Sequence, residues 1–320
     1  MNFLLFQLIS LSYVKKLSIV VPIYFNEKNL PETIPELLKL KEKLQDYELE
    51  LIFVDDGSKD RSLEILLDFK KKYPDIIQVI KLTRNFGAPA AAQAGLSIAT
   101  GDCIGKINAD LQDPPELFID MIKHWEKGIK AVFAVRKKRK DPLTSRILSN
   151  TFYSLLRRHA IPNYPKGGYD FFLVDKKVIK DFSKIQEKNT NINALIFWLG
   201  YEYVTIPYVR RERKKGTSKW TIGKKIKYFI DTFVGFSYFP VRLLSVIGII
   251  VAFASFGYGI YIFYNWAVGN IQVAGWTTTI IVLLLTAGIQ MIMIGVIGEY
   301  LWRTLDELRK RPRYVIEDTF

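Results

Sequence analysis

Residues 107–116 read INADLQDPPE: an apolar start, then Asp110, Asp113 and Glu116 with Pro114 and Pro115 among them. A chain of 320 residues with a formal net charge of +14 has gathered acid there. Other groups able to do chemistry are YFNE at 24–27, DDGSKD at 55–60, TRNFG at 83–87 and RKKRK at 136–140. Together they offer the acids Glu27, Asp55, Asp56 and Asp110 and the bases Arg84, Lys106, Arg136, Lys137, Lys138 and Arg139. A neutral small ligand does not call for both signs, whereas a nucleoside diphosphate does. Carboxylates accept from the base and ribose hydroxyls or hold a cation such as Mg²⁺, and basic groups neutralise phosphoryl oxygens.

These clusters need a frame that brings them to one place. β-Branched or apolar runs predict strands at 17–23, 48–58, 76–82, 102–110 and 130–136. Between them, apolar residues at helical spacing predict helices at 29–45, 62–74, 88–100 and 115–128. Four successive strand–helix units imply an α/β fold, a doubly wound and mainly parallel sheet. Ligands of such sheets collect beyond the carboxyl ends of the strands. Each polar cluster follows one of the predicted strands, so all five share that edge. The phosphate loop G-x-x-x-x-G-K-[ST] and the dinucleotide motif G-x-G-x-x-G are both absent from the sequence, which argues against those nucleotide-binding classes.

A mean hydropathy of +0.08 sits oddly with 24% charged residues until the two are seen to be segregated. From Leu243 to Gly298 there is no Asp, Glu, Lys or Arg. At about 20 residues per crossing that stretch holds two membrane helices, placed at Pro240–Tyr264 and Thr277–Trp302 with a polar, aromatic connection between them. Lys224, Lys225, Lys227 and Arg242 precede the first span, and Arg303, Arg309, Lys310, Arg311 and Arg313 follow the second. The positive-inside bias then puts both ends in the cytoplasm, making this an integral protein of the inner or plasma membrane. Ile226, Phe229, Ile230, Phe233 and Val234 form an apolar stripe on a predicted interfacial amphipathic helix. The expected organisation is an apolar segment 1–16, a catalytic domain 17–220, the interfacial helix 221–239, a membrane hairpin 240–302 and a basic tail 303–320. The opening MNFLLFQLISLS is too short to span and reads as surface-lying or disordered rather than as a signal peptide. A single cysteine, Cys103, excludes an internal disulfide, and His124 and His159 are isolated. The basic residues cluster beside the spans rather than along a separate face, so nucleic acid is not an expected partner. Gly248, Gly257, Gly259, Gly288, Gly295 and Gly298 would let copies of the spans pack closely, favouring a homo-oligomer.

The segments VPIYFNE, VDDGSKDRS, RNFGAPAAAQAGLSIATGD, NADLQDPPE and GGYDFFLVDKKV, in this order, resemble the polyprenyl-phosphate glycosyltransferases. These are inverting GT-A enzymes of family two, including bactoprenol glucosyltransferases and dolichol-phosphate mannose synthases. The resemblance runs from about Leu17 to Trp220, and the two carboxy-terminal spans match the bactoprenol branch. It implies a GT-A catalytic domain that moves a hexose, glucose in the bactoprenol branch, from a UDP-sugar to a polyprenyl phosphate with inversion. It implies that Pro22, Tyr24, Asn26 and Glu27 cradle the uridine, that Asp55 holds the base or ribose, and that Arg84 sits against the nucleotide. Asp110, helped by Gln112, would bind the Mg²⁺ or Mn²⁺ that bridges the diphosphate, and Asp170 would lie beside the transferred sugar. Lys106 joins the nucleotide-binding set, while Arg136, Arg213, Ser218 and Lys219 are candidates for the acceptor phosphate.

The family pattern Asp-x-Asp-x-Gln appears here as Asn108-Ala109-Asp110-Leu111-Gln112. On a strand end, 108, 110 and 112 would face the same way, with Asn108 a neutral and weaker cation ligand. Either the diphosphate supplies the missing charge, or the change was engineered to trap a substrate complex. Three alternatives stand beside the main reading: transfer from GDP-mannose, a processive polysaccharide synthase, and an inactive membrane-tethered nucleotide-sugar binder. The synthase lacks its Q-x-x-R-W motif and enough spans for a channel.

Overall fold

The computed structural model describes residues 14–137, 143–185, 187–188, 190–212, 222–269 and 275–320. The chain alternates β1 (Lys15–Ile23), α1 (Leu30–Lys43), β2 (Tyr47–Asp55), α2 (Ser62–Lys72), β3 (Ile77–Leu82), α3 (Ala88–Ile98), β4 (Cys103–Lys106), α4 (Leu117–Glu126) and β5 (Ala131–Arg136). It continues through α5 (Leu143–His159), β6 (Phe171–Asp175), α6 (Lys176–Phe182), α7 (Ile192–Trp198) and β7 (Tyr203–Tyr208). It closes with α8 (Ile222–Phe236), α9 (Phe239–Ala267), α10 (Trp276–Leu308) and β8 (Ile316–Thr319).

The strands form one eight-stranded sheet in the order β7-β5-β6-β4-β1-β2-β3-β8. Pairs β1–β2, β1–β4, β2–β3 and β5–β7 are parallel. Strand β6 is antiparallel to both β4 and β5, and β8 is antiparallel to β3. The doubly wound, mainly parallel sheet is therefore present as a mixed one, with β6 inserted antiparallel between β4 and β5. Because β6 reverses between two strands of one direction, β1 to β5 still deliver their carboxyl ends to one edge. Strand β7 adds its own end beside β5. The order 3-2-1-4 puts the topological switch between β1 and β4, where such sheets open a ligand crevice.

Both faces of the sheet are covered, because alternate residues of its strands are apolar on both sides. Leu17, Ile19, Val21 and Ile23 of β1 pack with Ile34 and Leu37 of α1 and Phe118 of α4. Val20, Ile52 and Val54 face the small residues Ala91 and Ala94 of α3 on the other side. The small residues of α3 allow that helix to lie tight on the sheet. A Cβ on Gly95 would stand 2.4 Å from Val20 Cγ1.

Helix α8 has a divided role. Phe229 and Ile230 are exposed, as an interfacial helix requires, but Thr232 and Phe233 are buried against the catalytic domain. Phe152 of α5 meets Phe229 at 5.4 Å between ring centroids, and Asn191 Nδ2 donates to Tyr228 Oη at 2.5 Å. Helices α9 and α10 are long and apolar enough to cross a membrane, and neither is buried in protein. The segment 303–320, expected as a basic tail, instead finishes α10 and folds back as β8. Lys81 Nζ meets Glu317 Oε1 at 2.7 Å, and Arg313 Nη2 donates to the Lys188 carbonyl at 2.8 Å.

Candidate active site

Strand β2 ends at Asp55, and the next turn is held against the loop that follows β3. Gly57 makes this possible with φ of +68°, and a Cβ there would lie 2.7 Å from the Arg84 carbonyl carbon. Asp56 accepts backbone N–H bonds from Phe86 at 2.7 Å and Gly87 at 2.9 Å, which clamps the TRNFG loop. Arg84 in that loop lies 4.5 Å over the Phe86 ring. Burial pushes the Asp56 carboxyl up to about 6 in spite of its two donors. Burial likewise raises Asp55, although Ser58 N–H donates to its Oδ2 at 3.2 Å. The other oxygen, Asp55 Oδ1, is buried and has no hydrogen-bond partner among the described residues.

The loop after β1 leans on the same turn. Phe25 adopts φ of 55° and its N–H donates to Ser58 Oγ at 3.1 Å. Asn26 N–H donates to Ser62 Oγ at 2.9 Å, and Glu27 Oε2 accepts from Arg61 N–H at 3.2 Å. Pro22 pairs with Val54 inside the sheet, and Asn26 Nδ2 reaches back to the Tyr24 carbonyl at 3.1 Å. The residues expected around the nucleoside therefore do converge on the carboxyl ends of β1 and β2.

Across the switch point, Thr33 Oγ1 of α1 donates to the Ala109 carbonyl at 2.7 Å and ties down the loop after β4. The alternation expected of a strand end at 108, 110 and 112 does not hold, because β4 stops at Lys106. Leu111 turns the chain with φ of 51°. Asn108 Nδ2 donates to Asp113 Oδ2 at 3.2 Å rather than aligning with Asp110. Asp113 is fully buried, with Tyr208 Oη donating to its Oδ1 and Arg210 Nε 3.4 Å from the same oxygen. The negative charge missing at 108 is thus present at 113, and an acid at 108 would face it. Asp110 Oδ1 accepts from Gln112 N–H at 3.3 Å, and its Oδ2 lies 4.0 Å from Arg210 Nη2.

Strands β4 and β5 and the chain after β7 supply the cationic side, around an acid that stands just before β6. Arg136 Nη2 donates to Asp170 Oδ2 at 3.3 Å, Lys106 Nζ to the Asp170 carbonyl at 3.0 Å, and Asn193 Nδ2 to Asp170 Oδ1 at 3.1 Å. Desolvation opposes the Asp170 charge, but Lys106, Arg136 and Arg210 outweigh it and hold the carboxyl below the usual range. Desolvation also opposes Arg136, and Asp170, Tyr208 and Asp113 together more than compensate.

The structure thus brings Lys106, Asn108, Asp110, Gln112, Arg136 and Asp170 to one edge. Arg213, Ser218 and Lys219, expected at the acceptor phosphate, lie outside the described residues, as do Lys138 and Arg139. Sequence reasoning passed over Asp113, Tyr208, Arg210 and Asn193 as individual residues. Asp113 stood inside a quoted motif and Arg210 at the head of a basic run. Nothing local marked Asn193.

Among the described residues no group of three His, Cys, Asp or Glu side chains could hold a metal ion without other donors. The Asp110 carboxylate and Gln112 amide are oxygen donors on one short loop. They fit a cation such as Mg²⁺, which takes one or two carboxylates and completes its shell with substrate phosphates and water.

The profile of glycosyl transferase family 2 matches residues 18–185, and that of the GtrB C-terminal hairpin matches 239–303. An uncharacterized glycosyltransferase, YkcC, of Bacillus subtilis (strain 168) is 37% identical over 304 residues, covering 95% of this chain and 94% of the relative. The prophage bactoprenol glucosyl transferase homolog of Escherichia coli (strain K12) is 35% identical, covering 94% and 98%. The bactoprenol glucosyl transferase of Shigella phage SfV is 34% identical, covering 95% and 98%. Among solved structures, the mannosyltransferase PcManGT from Pyrobaculum calidifontis, in complex with GDP-Man and Mn²⁺, aligns with a TM-score of 0.45 at 17% identity, covering 62% of this chain and 56% of that one.

Proposed function

Because the chain belongs to glycosyl transferase family 2, we propose that it transfers a hexose, glucose in the leading case, from a UDP-sugar to a polyprenyl phosphate. The transfer inverts the anomeric carbon and takes place at the cytoplasmic face of the membrane. The observation that carries this reading is the meeting of two kinds of group at one edge. Asp110, Gln112 and the Asp55 oxygen left without a partner among the described residues suit a nucleoside diphosphate, and Lys106, Arg136 and Arg210 gather positive charge about Asp170 at the same edge. The same chain continues into two helices suited to a bilayer, and its relatives include proteins named bactoprenol glucosyl transferase.

An acceptor phosphate is already ionised near neutral pH, so no residue has to remove a proton from an alcohol. The task is to bring two anions together and stabilise the departing diphosphate. In this reading Asp55 Oδ1 accepts an N–H of the base, which meets its unpaired demand. Asp110 and Gln112 would hold a divalent cation, which when bound neutralises charge on the leaving diphosphate. Asp170 stays anionic and fixes Lys106 and Arg136, whose charge draws the acceptor phosphate toward the sugar. The exposed face of α8 would rest at the headgroup level and set the height of this edge. Small residues of α9 and α10 would let copies associate.

Membranes containing the protein, given radiolabelled UDP-glucose and undecaprenyl phosphate, should yield lipid-extractable label. Absence of labelled lipid with both UDP-glucose and GDP-mannose would sink the proposal.

A further inference from the structure

Where α9 leaves the catalytic domain it forms, with α10, a crevice of about 600 Å³ lined by Tyr238, Val241, Arg242, Ile297 and Tyr300. We propose that this crevice binds an anionic phospholipid of the surrounding bilayer, separately from the lipid acceptor. The inference rests on α9 and α10 lying in a membrane, but not on the identity of the sugar or the acceptor.

Three features converge on a phosphate. Arg242 is the last charged residue before the uncharged stretch that ends at Gly298. Its guanidinium has no hydrogen-bond or ion-pair partner among the described residues. It stands in the first turn of a 29-residue helix that has no acidic residue there and no side-chain cap at Tyr238. The Phe239 N–H is taken by Ser237 Oγ at 3.1 Å, and Pro240 has none to give. A cation at a helix N-terminus is opposed by the helix dipole, and an anion beside it reverses that sign.

The nearby carboxylates do not meet this demand. Glu299 and Asp231 are both bound by Arg303, at 2.7 Å and 2.8 Å. Tyr300 Oη donates to the Ser237 carbonyl at 2.9 Å, which fixes its ring as one wall. Tyr238 is 76% exposed and can turn its phenol toward a headgroup. Val241 and Ile297 complete a lining that is apolar beneath a single positive charge. That matches one phosphodiester with its glycerol and upper acyl carbons, and basic pockets between membrane helices hold such headgroups. Among the described residues no hydrogen bond or ion pair links these five to Lys106, Arg136 or Asp170.

The test is native mass spectrometry of the full chain, released from micelles containing phosphatidylglycerol or phosphatidylcholine with the same acyl chains. Wild type should retain phosphatidylglycerol about tenfold better, the size of one charge-assisted phosphate contact. Arg242→Gln should lose that preference, and Arg311→Gln in the exposed carboxy-terminal segment should keep it. Equal retention of both lipids by wild type would overturn the proposal, whether or not Arg242→Gln accumulates. Preference persisting in Arg242→Gln would overturn it too. One-for-one displacement by undecaprenyl phosphate would hand the crevice to the acceptor and defeat the proposal, even with transfer activity intact.

Discussion

Strand β2 carries a buried carboxylate toward each end, and the fold treats the two oppositely. Near its start, Glu50 is 8% exposed and fully engaged. It accepts from Ser18 Oγ, from Thr100 N–H at 3.0 Å and from Thr100 Oγ1 at 2.8 Å, and pairs with Lys16 Nζ at 2.9 Å. Burial opposes its charge, but these partners win and hold the carboxyl below its ordinary value. At the other end Asp55 is 1% exposed, has one oxygen without a hydrogen-bond partner among the described residues and is pushed up by burial. A buried polar atom left unmade costs about 1–3 kcal/mol. The unmet demand lies at the edge where ligands gather, and the satisfied carboxylate lies away from it. Burial of an acid therefore says little about its role until its partners are counted.

The contrast can be broken or sharpened by substitution. Glu50→Gln should produce the largest effect, a loss of about 3 kcal/mol, because Lys16 keeps its charge without a counter-ion. Denaturation of the purified protein would measure this, while transfer per folded molecule should be unchanged. A Glu50→Gln protein as stable as wild type would end the comparison.

Asp113 probes whether position or satisfaction decides, since it lies at the active edge yet is engaged by Tyr208, Asn108 and Arg210. Asn108→Asp should cost about 2 kcal/mol by setting like charges together. The double change Asn108→Asp with Asp113→Asn should recover most of that stability. If Asn108→Asp raised both stability and transfer rate, the pairing seen here would not be the reason for the asparagine.

Asp55→Asn should weaken UDP binding about tenfold, the loss of one hydrogen bond to a charged group. Its folding stability should hold or rise, opposite in sign to the Glu50 change. Calorimetric titration with UDP, paired with a melting curve, reads both at once.

The smallest effect is a slope with pH. A carboxyl raised to about 6 from an ordinary 3.8 binds protons more readily folded than unfolded. Asp56 therefore makes stability fall as pH rises between about 4 and 6, and Asp56→Asn should flatten that slope. The lowered carboxyl of Glu50 acts in the reverse sense, adding stability that is lost as pH drops below its ordinary range. Melting temperatures recorded across this interval and below it would separate the two.

Much of the architecture was legible from local pattern. The five predicted strands, the four helices between them and the two apolar helices all appear near their expected places, although the fourth strand stops at Lys106 and the second apolar helix runs on to Leu308. The clusters after each strand do share an edge, because parallel strands must end on the same side. The site was legible as residue types but less so as contacts. Asp110, Asp170 and Arg136 were singled out, yet the expected alignment of 108, 110 and 112 failed because the strand stops early.

By itself the sequence determined the strands and helices between residues 17 and 136, the apolar helices near the carboxyl end and where charge is excluded, since periodicity and composition act over neighbours. Only the tertiary structure decided that β6 runs backward between β4 and β5, that β7 joins β5, and that the exposed β8 returns to pair with β3. It also decided that Asn108 answers Asp113 and that Tyr208 and Arg210 close around the same acid. Tyr208 meets Asp113 across 95 positions of chain, and Glu317 meets Lys81 across 236. Nothing in a residue's neighbourhood specifies a partner at such separation, because the choice depends on which buried groups the completed sheet leaves facing one another.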